Sequence, residues 1–165
     1  IVCGIQRPQS GVDIRIVPVS GSGEARDLIA APGNQGTTSF SPDGRWLAYQ
    51  TDESGRDEVV VVRYPTLDGR WQISSDGGTN PKWLPDGRGI LYTTADRHIA
   101  RVDVDARGEG LIVGNTTRIF AGKPVEGPWL IAPDGKRLLV LVPQGSGAAV
   151  SLNLVTDWRQ LPAAK

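Results

Sequence analysis

The stretch Ser41-Pro42-Asp43-Gly44-Arg45-Trp46-Leu47-Ala48-Tyr49 joins a tight turn to an apolar strand, and its central triplet decides the fold. Proline presets the backbone for a turn, aspartate accepts a hydrogen bond from the backbone ahead of it, and glycine adopts a positive φ. The Pro-Asp-Gly triplet occurs three times, and its aspartates, Asp43, Asp86 and Asp134, are 43 and 48 residues apart. Repeats of about 40 to 50 residues are typical of the blades of a β-propeller.

Apolar residues surround each turn in the way that stacked blades require. A large apolar residue stands two places before each proline: Phe40, Trp83 and Ile131. Blades built from such hairpins share their cores with their neighbours. We therefore predict an all-β chain of four-stranded antiparallel blades, about three and a half of them. The predicted blades span residues 1–35 (partial), 36–77, 78–125 and 126–158 (partial) of a single segment, 1–165, with three, four, four and three strands.

Strand boundaries follow from the apolar runs between turn residues. We predict strands at Trp46–Thr51 and Gly89–Thr94, directly after the first two turns. In the third blade, the fourth strand is expected only at Thr117–Phe120, after an insertion over Arg107–Asn115. Helix is expected only as a short turn near Asp157–Leu161.

The repeat and its surroundings resemble a known bacterial family. The hairpin is followed by Thr51-Asp52-Glu53-Ser54-Gly55-Arg56-Asp57-Glu58-Val59 and later by Trp71-Gln72-Ile73-Ser74-Ser75-Asp76-Gly77-Gly78-Thr79. This pattern resembles the TolB-type, WD40-like propeller repeat, and it is similar to the C-terminal propeller of bacterial Ser/Thr protein kinases and related multidomain proteins. The resemblance covers essentially the whole chain. It implies a binding role and an extracytoplasmic or periplasmic location, although propellers host many functions.

Composition argues against several classes of partner. Lys and Arg number 18 and Asp and Glu number 18, so the formal net charge is zero. We therefore expect neither nucleic-acid binding nor a polybasic membrane surface. No apolar run reaches the ~18 residues of a transmembrane helix, so we expect no membrane insertion by this chain. Because the chain starts at Ile1 and not at Met, we expect it to be processed or excised from a longer one.

Motifs for catalysis, cofactors and metals are weak. Nucleophilic hydrolysis needs a serine or cysteine beside a histidine base, and the one histidine is His98. No nucleophile elbow, phosphate-binding glycine loop or kinase motif occurs. The run Asp103–Gly108 begins like a calcium loop, but Arg107 and Gly114 occupy positions that need oxygen ligands. We therefore predict no enzyme activity, no cofactor and no metal site in this chain.

Propeller geometry predicts where a ligand would bind. One face collects the turns between the second and third strands of each blade, together with the links between blades. The hydrogen-bonding side chains expected on that face are our candidate binding residues: Arg56, Asp57, Asn80, Arg97, His98 and Glu126.

Two function classes stay open. The first is a non-catalytic module that binds a small-molecule ligand or a protein and regulates a catalytic or signalling domain of a larger protein. The second is an accessory propeller that gates the active site of a prolyl-oligopeptidase-like hydrolase located elsewhere. A partial propeller also leaves open blade faces, which we expect to be apolar. Two copies could cover them by forming a seven-bladed ring, and the alternative is that the chain is part of a longer propeller.

Overall fold

A computed structural model describes residues 1–8, 11–19, 23–119, 124–125, 127–143 and 150–156. These residues form 14 strands in four sheets, which we number as blades 1 to 4. The strands are β1 Val2–Arg7, β2 Gly11–Ile16 and β3 Arg26–Ile29 in blade 1; β4 Gln35–Phe40, β5 Trp46–Thr51, β6 Glu58–Arg63 and β7 Arg70–Gln72 in blade 2; β8 Gly78–Trp83, β9 Gly89–Thr94, β10 Ile99–Asp105 and β11 Ile112–Arg118 in blade 3; and β12 Leu130–Ile131, β13 Arg137–Pro143 and β14 Val150–Thr156 in blade 4.

The predicted fold class is confirmed. Each blade is an antiparallel meander of consecutive strands, with three, four, four and three strands in chain order. Strands β5 and β9 have the predicted bounds. The described residues contain no helix, and hence none that is long and apolar enough to cross a membrane. The helical turn expected near Asp157–Leu161 lies outside the described residues.

The predicted start of the last strand in blade 3 is wrong. Strand β11 begins at Ile112 and not at Thr117, so that the last four residues of the expected insertion, Ile112–Asn115, are strand. A bulge absorbs the extra length, because Gly114 and Asn115 both lie opposite the single residue Asp103. The alternation of apolar and polar residues did not reveal this strand, because a bulge shifts the two-residue period by one residue.

The three Pro-Asp-Gly turns share one geometry. Their glycines, Gly44, Gly87 and Gly135, have φ values of 71°, 69° and 64°. Each of these glycine N–H groups donates to the carbonyl three residues earlier, at 2.8 to 2.9 Å. Each aspartate accepts a hydrogen bond from the backbone N–H two residues ahead, at 2.9 to 3.1 Å. The predicted role of these aspartates as turn formers is confirmed.

Apolar side chains pack between neighbouring blades and form three cores. The middle strands of blade 2 are buried on both faces, since alternate residues point to opposite neighbours. Fully burying a side chain of this size stabilises a fold by roughly 1.5 to 3 kcal/mol. Contacts between neighbouring blades therefore stabilise the arrangement of the four blades. The blade 2 side chains that face blade 3 are Trp46, Ala48, Val59 and Val61, and those that face blade 1 are Leu47, Tyr49, Val60 and Val62. The core between blades 3 and 4 includes Leu91, Ile99, Trp129, Leu138 and Val140.

The face of blade 1 that points away from blade 2 is charged, which corrects the expectation of an apolar open face. Arg7 pairs with Asp13 at 2.8 Å and with Asp27 at 2.6 Å, and Arg15 pairs with Asp27 at 3.0 Å. Asp13 is only 1% exposed. The hydrogen bond from Arg15 lowers the pKa of the Asp27 carboxyl below its usual range. In blade 1, ion pairs thus occupy the face that carries core residues in blades 2 and 3.

Candidate functional site

Three loops of blades 2 and 3 lie side by side and form what we call the loop face. They are the β5–β6 turn (52–57), the link from β7 to β8 (73–77) and the β9–β10 turn (95–98). The link contacts the first turn, because the Gly78 N–H donates to the Asp57 carbonyl at 2.8 Å. The Pro-Asp-Gly turns lie at the opposite ends of the strands. Five of the six predicted residues lie on the loop face or next to it: Arg56, Asp57, Asn80, Arg97 and His98.

Arg56 is engaged inside the protein. Its Nε donates to Glu58 Oε1 at 2.6 Å, and its Nη2 donates to the Ser75 carbonyl. Glu58 is 3% exposed, and its carboxylate also accepts hydrogen bonds from the Ser74 hydroxyl and from the Gly77 N–H, the latter at 3.2 Å. Arg56 and Glu58 therefore fasten the link to blade 2, so that Arg56 acts in the scaffold of the loop face.

Asp57 and Asn80 are brought together by Gln50. The Gln50 amide Nε2 donates to Asp57 Oδ1 at 2.9 Å, and its Oε1 accepts from the Asn80 N–H at 3.4 Å and from the Thr37 hydroxyl at 3.0 Å. Asn80 has a φ of 55°, a left-handed conformation that asparagine tolerates better than most residues. This network joins β4 and β5 of blade 2 to the first strand of blade 3, and it fixes two predicted residues at the inner edge of the loop face.

Arg97 and His98 directly follow Asp96, a carboxylate that the sequence prediction did not include. Asp96 Oδ1 accepts from the Thr94 hydroxyl at 2.5 Å, and its Oδ2 pairs with Arg118 at 2.5 Å. The Thr94 hydrogen bond and the Arg118 guanidinium lower the pKa of Asp96 to about 2. His98 Nδ1 lies 3.0 Å from the Asp96 carbonyl oxygen and 3.4 Å from Asp96 Oδ2. Asp96 is therefore held as an anion with a fixed orientation.

Arg97 connects the loop face to blade 4. Its φ is 61°, and its carbonyl accepts a hydrogen bond from the Val125 N–H at 2.7 Å. The backbone of Arg97 thus holds Val125, which lies between β11 and β12. Glu126, the sixth predicted residue, lies outside the described residues.

A cavity of about 470 Å³ opens on the loop face between blades 2 and 3. Hydroxyl groups, two carboxylates and a guanidinium line it, and burial raises the pKa of the Tyr92 phenol at its wall. None of the predicted residues lines this cavity, although Arg56 holds Ser75 and His98 contacts Asp96. The lining residues are Ser75, Asp76, Gly77, Tyr92, Thr94, Ala95, Asp96, Thr116 and Arg118.

A second cavity, of about 490 Å³, lies on the opposite face between the first two Pro-Asp-Gly turns. Most of its charged groups form hydrogen bonds or ion pairs within or beside these turns. Burial alone would raise the pKa of Asp43, but hydrogen bonds from Ser41 and Arg45 hold it at about 2. Arg107 is bound to Asp105, with Nη2 2.7 Å from Oδ2. These pairs belong to the face of the Pro-Asp-Gly turns, whereas the loop-face cavity lies among the loops of a rigid scaffold, which makes it the better candidate for a ligand site.

The loop-face cavity offers hydrogen bonding and charge but no assembled catalytic group. Cys3 lies on β1 of blade 1, whereas His98 lies in blade 3 beside Asp96. Within the described parts of the chain, no three His, Cys, Asp or Glu side chains form a group that could hold a metal ion. Asp103 and Asp105 of the calcium-like run are paired with Arg101 and Arg107. The absence of enzyme activity stays a prediction.

Sequence reasoning missed residues that act through long-range contacts. Gln50 lies within a strand, and Glu58 begins the third strand of blade 2. Alignment of the repeats places Asp13, Glu58 and His98 at equivalent positions. A polar residue recurring at the start of each third strand was therefore the available signal for a structural anchor, whereas Arg118 had no such signal.

Comparison with known families supports the propeller. The family model described as "Prolyl oligopeptidase, N-terminal beta-propeller domain" matches residues 32–109, which is just under half of the chain. Among curated proteins, no sequence matches significantly.

Solved structures share the fold at low sequence identity. TolB from Acinetobacter baumannii is 17% identical with a TM-score of 0.55, and the match covers 98% of this chain and 51% of that chain. A putative TolB from Agrobacterium tumefaciens is 16% identical with a TM-score of 0.68, covering 95% and 57%. The periplasmic gluconolactonase PpgL from Pseudomonas aeruginosa is 17% identical with a TM-score of 0.53, covering 85% and 46%.

These likenesses define the class of fold. The chain is a β-propeller module, and its fold is similar to that of the TolB structures. It spans about half the length of the solved structures that it matches.

Proposed function

We propose that the chain is a non-catalytic binding and sensing module of a larger protein, and that the loop-face cavity receives its ligand. The observation that carries this proposal is the Asp96–Arg118 pair, which stands at the cavity with both partners already oriented. Polar groups that are fixed before binding reduce the ordering cost that a ligand must overcome. In the larger protein, binding here would regulate a catalytic or signalling domain, such as a kinase.

The lining of the cavity supports a ligand that both donates and accepts hydrogen bonds. Thr94, Thr116 and Ser75 carry hydroxyl groups, which serve in both roles. Arg118 and Asp96 neutralise each other, and the Asp76 carboxylate adds a negative charge to the lining. A small polar molecule, or a polar segment of a protein, matches this chemistry better than an apolar or anionic ligand.

The second candidate is a propeller that gates a hydrolase active site elsewhere in the larger protein. The match to the prolyl oligopeptidase propeller over residues 32–109 favours it, because that stretch covers blade 2 and most of blade 3. The complete open reading frame separates the two candidates. An adjoining α/β-hydrolase domain supports gating, and a kinase domain joined through a membrane span supports sensing.

Chemical-shift mapping tests the binding proposal on the chain itself. We would titrate the ¹⁵N-labelled chain with a fixed panel of monosaccharides, amino acids and dipeptides, and we expect shifts in residues 75–77, 94–96 and 116–118. Arg118→Gln should weaken any such binding at least tenfold. Arg107→Gln is the matched control, because Arg107 makes a similar ion pair on the opposite face. Shifts confined to the Pro-Asp-Gly face, or binding that survives Arg118→Gln, would count against the proposal.

A further inference from the structure

The link between blades 2 and 3 carries a carboxylate that the described part of the chain does not engage. Asp76 lines the loop-face cavity, and no hydrogen bond or ion pair joins its side chain to another described residue. The residues on either side of it are fastened. The Ser75 carbonyl accepts from Arg56 Nη2, and the Gly77 N–H donates to the buried Glu58 at 3.2 Å. The backbone therefore holds Asp76 at the cavity, with the acceptor capacity of its carboxylate unused.

Arg118 brings the opposite charge to the same cavity. Its Nη2 donates to Asp96 Oδ2 at 2.5 Å, and this is its one hydrogen bond to the described residues. A guanidinium has a planar fork of N–H donors that can bind a carboxylate through two parallel hydrogen bonds. The bond to Asp96 thus orients Arg118, while Nε and Nη1 keep donors for a second carboxylate.

The remaining wall is polar and partly buried. The Tyr92 side chain is 5% exposed, and its phenol shares a hydrogen bond with the Thr116 hydroxyl. Burial, and then the charges of Glu58 and Asp76, raise the pKa of this phenol. The negative charge of Asp76 therefore acts on the wall of the cavity. The cavity offers one acceptor for a cation and one donor fork for an anion, with hydroxyl groups around them.

We propose that the loop-face cavity binds a small zwitterion of the amino-acid type, with its ammonium group at Asp76 and its carboxylate at Arg118. The inference rests on the proposed function, because it names the ligand class of that site. A zwitterion is neutral overall, so it uses both charges without adding net negative charge to a lining that already has an excess. A volume of about 470 Å³ lies within the usual range of small-molecule pockets and accommodates an amino acid or a dipeptide.

Ligand derivatives that lack one charge test the two ends separately. We would titrate the ¹⁵N-labelled whole chain with the standard amino acids and with dialanine, up to about 10 mM, and follow residues 75–77, 94–96 and 116–118. The tightest binder is then compared with its N-acetyl derivative, which lacks the ammonium group, and with its carboxamide, which lacks the carboxylate. Each loss should raise the dissociation constant at least fivefold. Whether the tightest binder is an amino acid or dialanine tells the two sources of the zwitterion apart.

Two variants assign the two ends. Asp76→Asn should abolish the preference for the parent ligand over its N-acetyl derivative and keep the preference over the carboxamide. Arg118→Gln should do the reverse. The matched control is Glu109→Gln, which removes an exposed carboxylate from the β10–β11 turn on the opposite face and should leave both preferences unchanged. Well-dispersed amide spectra would show that the variants are folded.

The outcomes separate this inference from the function on which it rests. If a monosaccharide shifts the cavity residues and no amino acid or dipeptide does so, the binding site stands and the zwitterion is wrong. The same holds if the parent ligand and its two derivatives bind equally well. An ammonium preference that survives Asp76→Asn overturns the assignment of that end. If no probe shifts these residues, the proposed binding function is overturned together with the inference.

Discussion

Replacing Glu58 by alanine would remove the anchor that holds the loop face to blade 2. The carboxylate of Glu58 is buried, and it accepts hydrogen bonds from the Ser74 hydroxyl and, at 3.2 Å, from the Gly77 N–H. It also pairs with Arg56 at 2.6 Å. Alanine leaves the Gly77 donor buried with no acceptor from Glu58, and it frees the link between blades 2 and 3.

The magnitude follows from these contacts. A hydrogen bond to a charged acceptor contributes about 1.5 to 3 kcal/mol, and a buried donor left unsatisfied costs about 1 to 3 kcal/mol. The ion pair adds little, because the Arg56 side chain is 57% exposed and screened by water. Since both hydrogen bonds share one carboxylate, their energies do not add. We expect Glu58→Ala to lower the free energy of unfolding by about 3 kcal/mol, and Glu58→Gln, which keeps one acceptor, by about 1 kcal/mol.

Urea unfolding followed by tryptophan fluorescence would measure these changes, with an unchanged m-value as the sign that the transition is comparable. A loss of about 3 kcal/mol corresponds to a fall in Tm of about 6 to 12 °C for a chain of this size. The matched control is Glu53→Ala, which removes an exposed ion pair with Arg70 and should cost less than about 1 kcal/mol. If Glu58→Ala and Glu53→Ala have equal effects, the anchoring role of Glu58 is refuted.

Three further predictions concern the turns, acid stability and the core between blades 3 and 4. Gly44→Ala should cost about 1 to 2 kcal/mol in urea unfolding, because its φ is 71°, whereas Gly36→Ala, where φ is ordinary and space is open, should be neutral. The pKa of Asp96 is lowered from 3.8 to about 2, so its contribution is complete above pH 3.8 and is lost as the pH falls towards 2; Asp96→Asn should flatten that part of a stability–pH curve. Trp129→Phe removes the 2.8 Å hydrogen bond from Nε1 to Thr93 and should cost about 1 kcal/mol in thermal unfolding, and an unchanged Tm would contradict this assignment.

The parts of the fold that depend on local chemistry could be predicted from the sequence. The Pro-Asp-Gly turns depend on contacts within three residues, and the strands that follow them, β5 and β9, begin and end as expected. The grouping of strands into blades follows from these turns, because each one marks the first hairpin of a blade. Strand β11 escaped prediction because its bulge is set by pairing with β10 and not by its own residues.

The candidate site was harder to predict, because side-chain contacts between distant residues shape it. The sequence placed Asp57 and Asn80 on one face of the propeller, and the two residues do meet there. Their meeting depends on Gln50, whose bond to Asn80 spans 30 residues of chain. Likewise Arg118 reaches Asp96 across 22 residues. Such contacts have no local sequence signal, so the residues that line the loop-face cavity became visible only in the folded chain.

The charged face of blade 1 affects how the blades could close into a ring. At equivalent positions of the sheets, the cross-strand pair is Tyr49 with Val60 in blade 2, but Cys3 with Arg15 in blade 1. A seven-bladed ring of two copies would press this face against blade 4, where Leu130 is 58% exposed. Burying an ion costs several kcal/mol unless a charged partner meets it, and a buried leucine returns only about 1.5 to 3 kcal/mol. Ring closure through blade 1 therefore has to keep its ion pairs intact and hydrated.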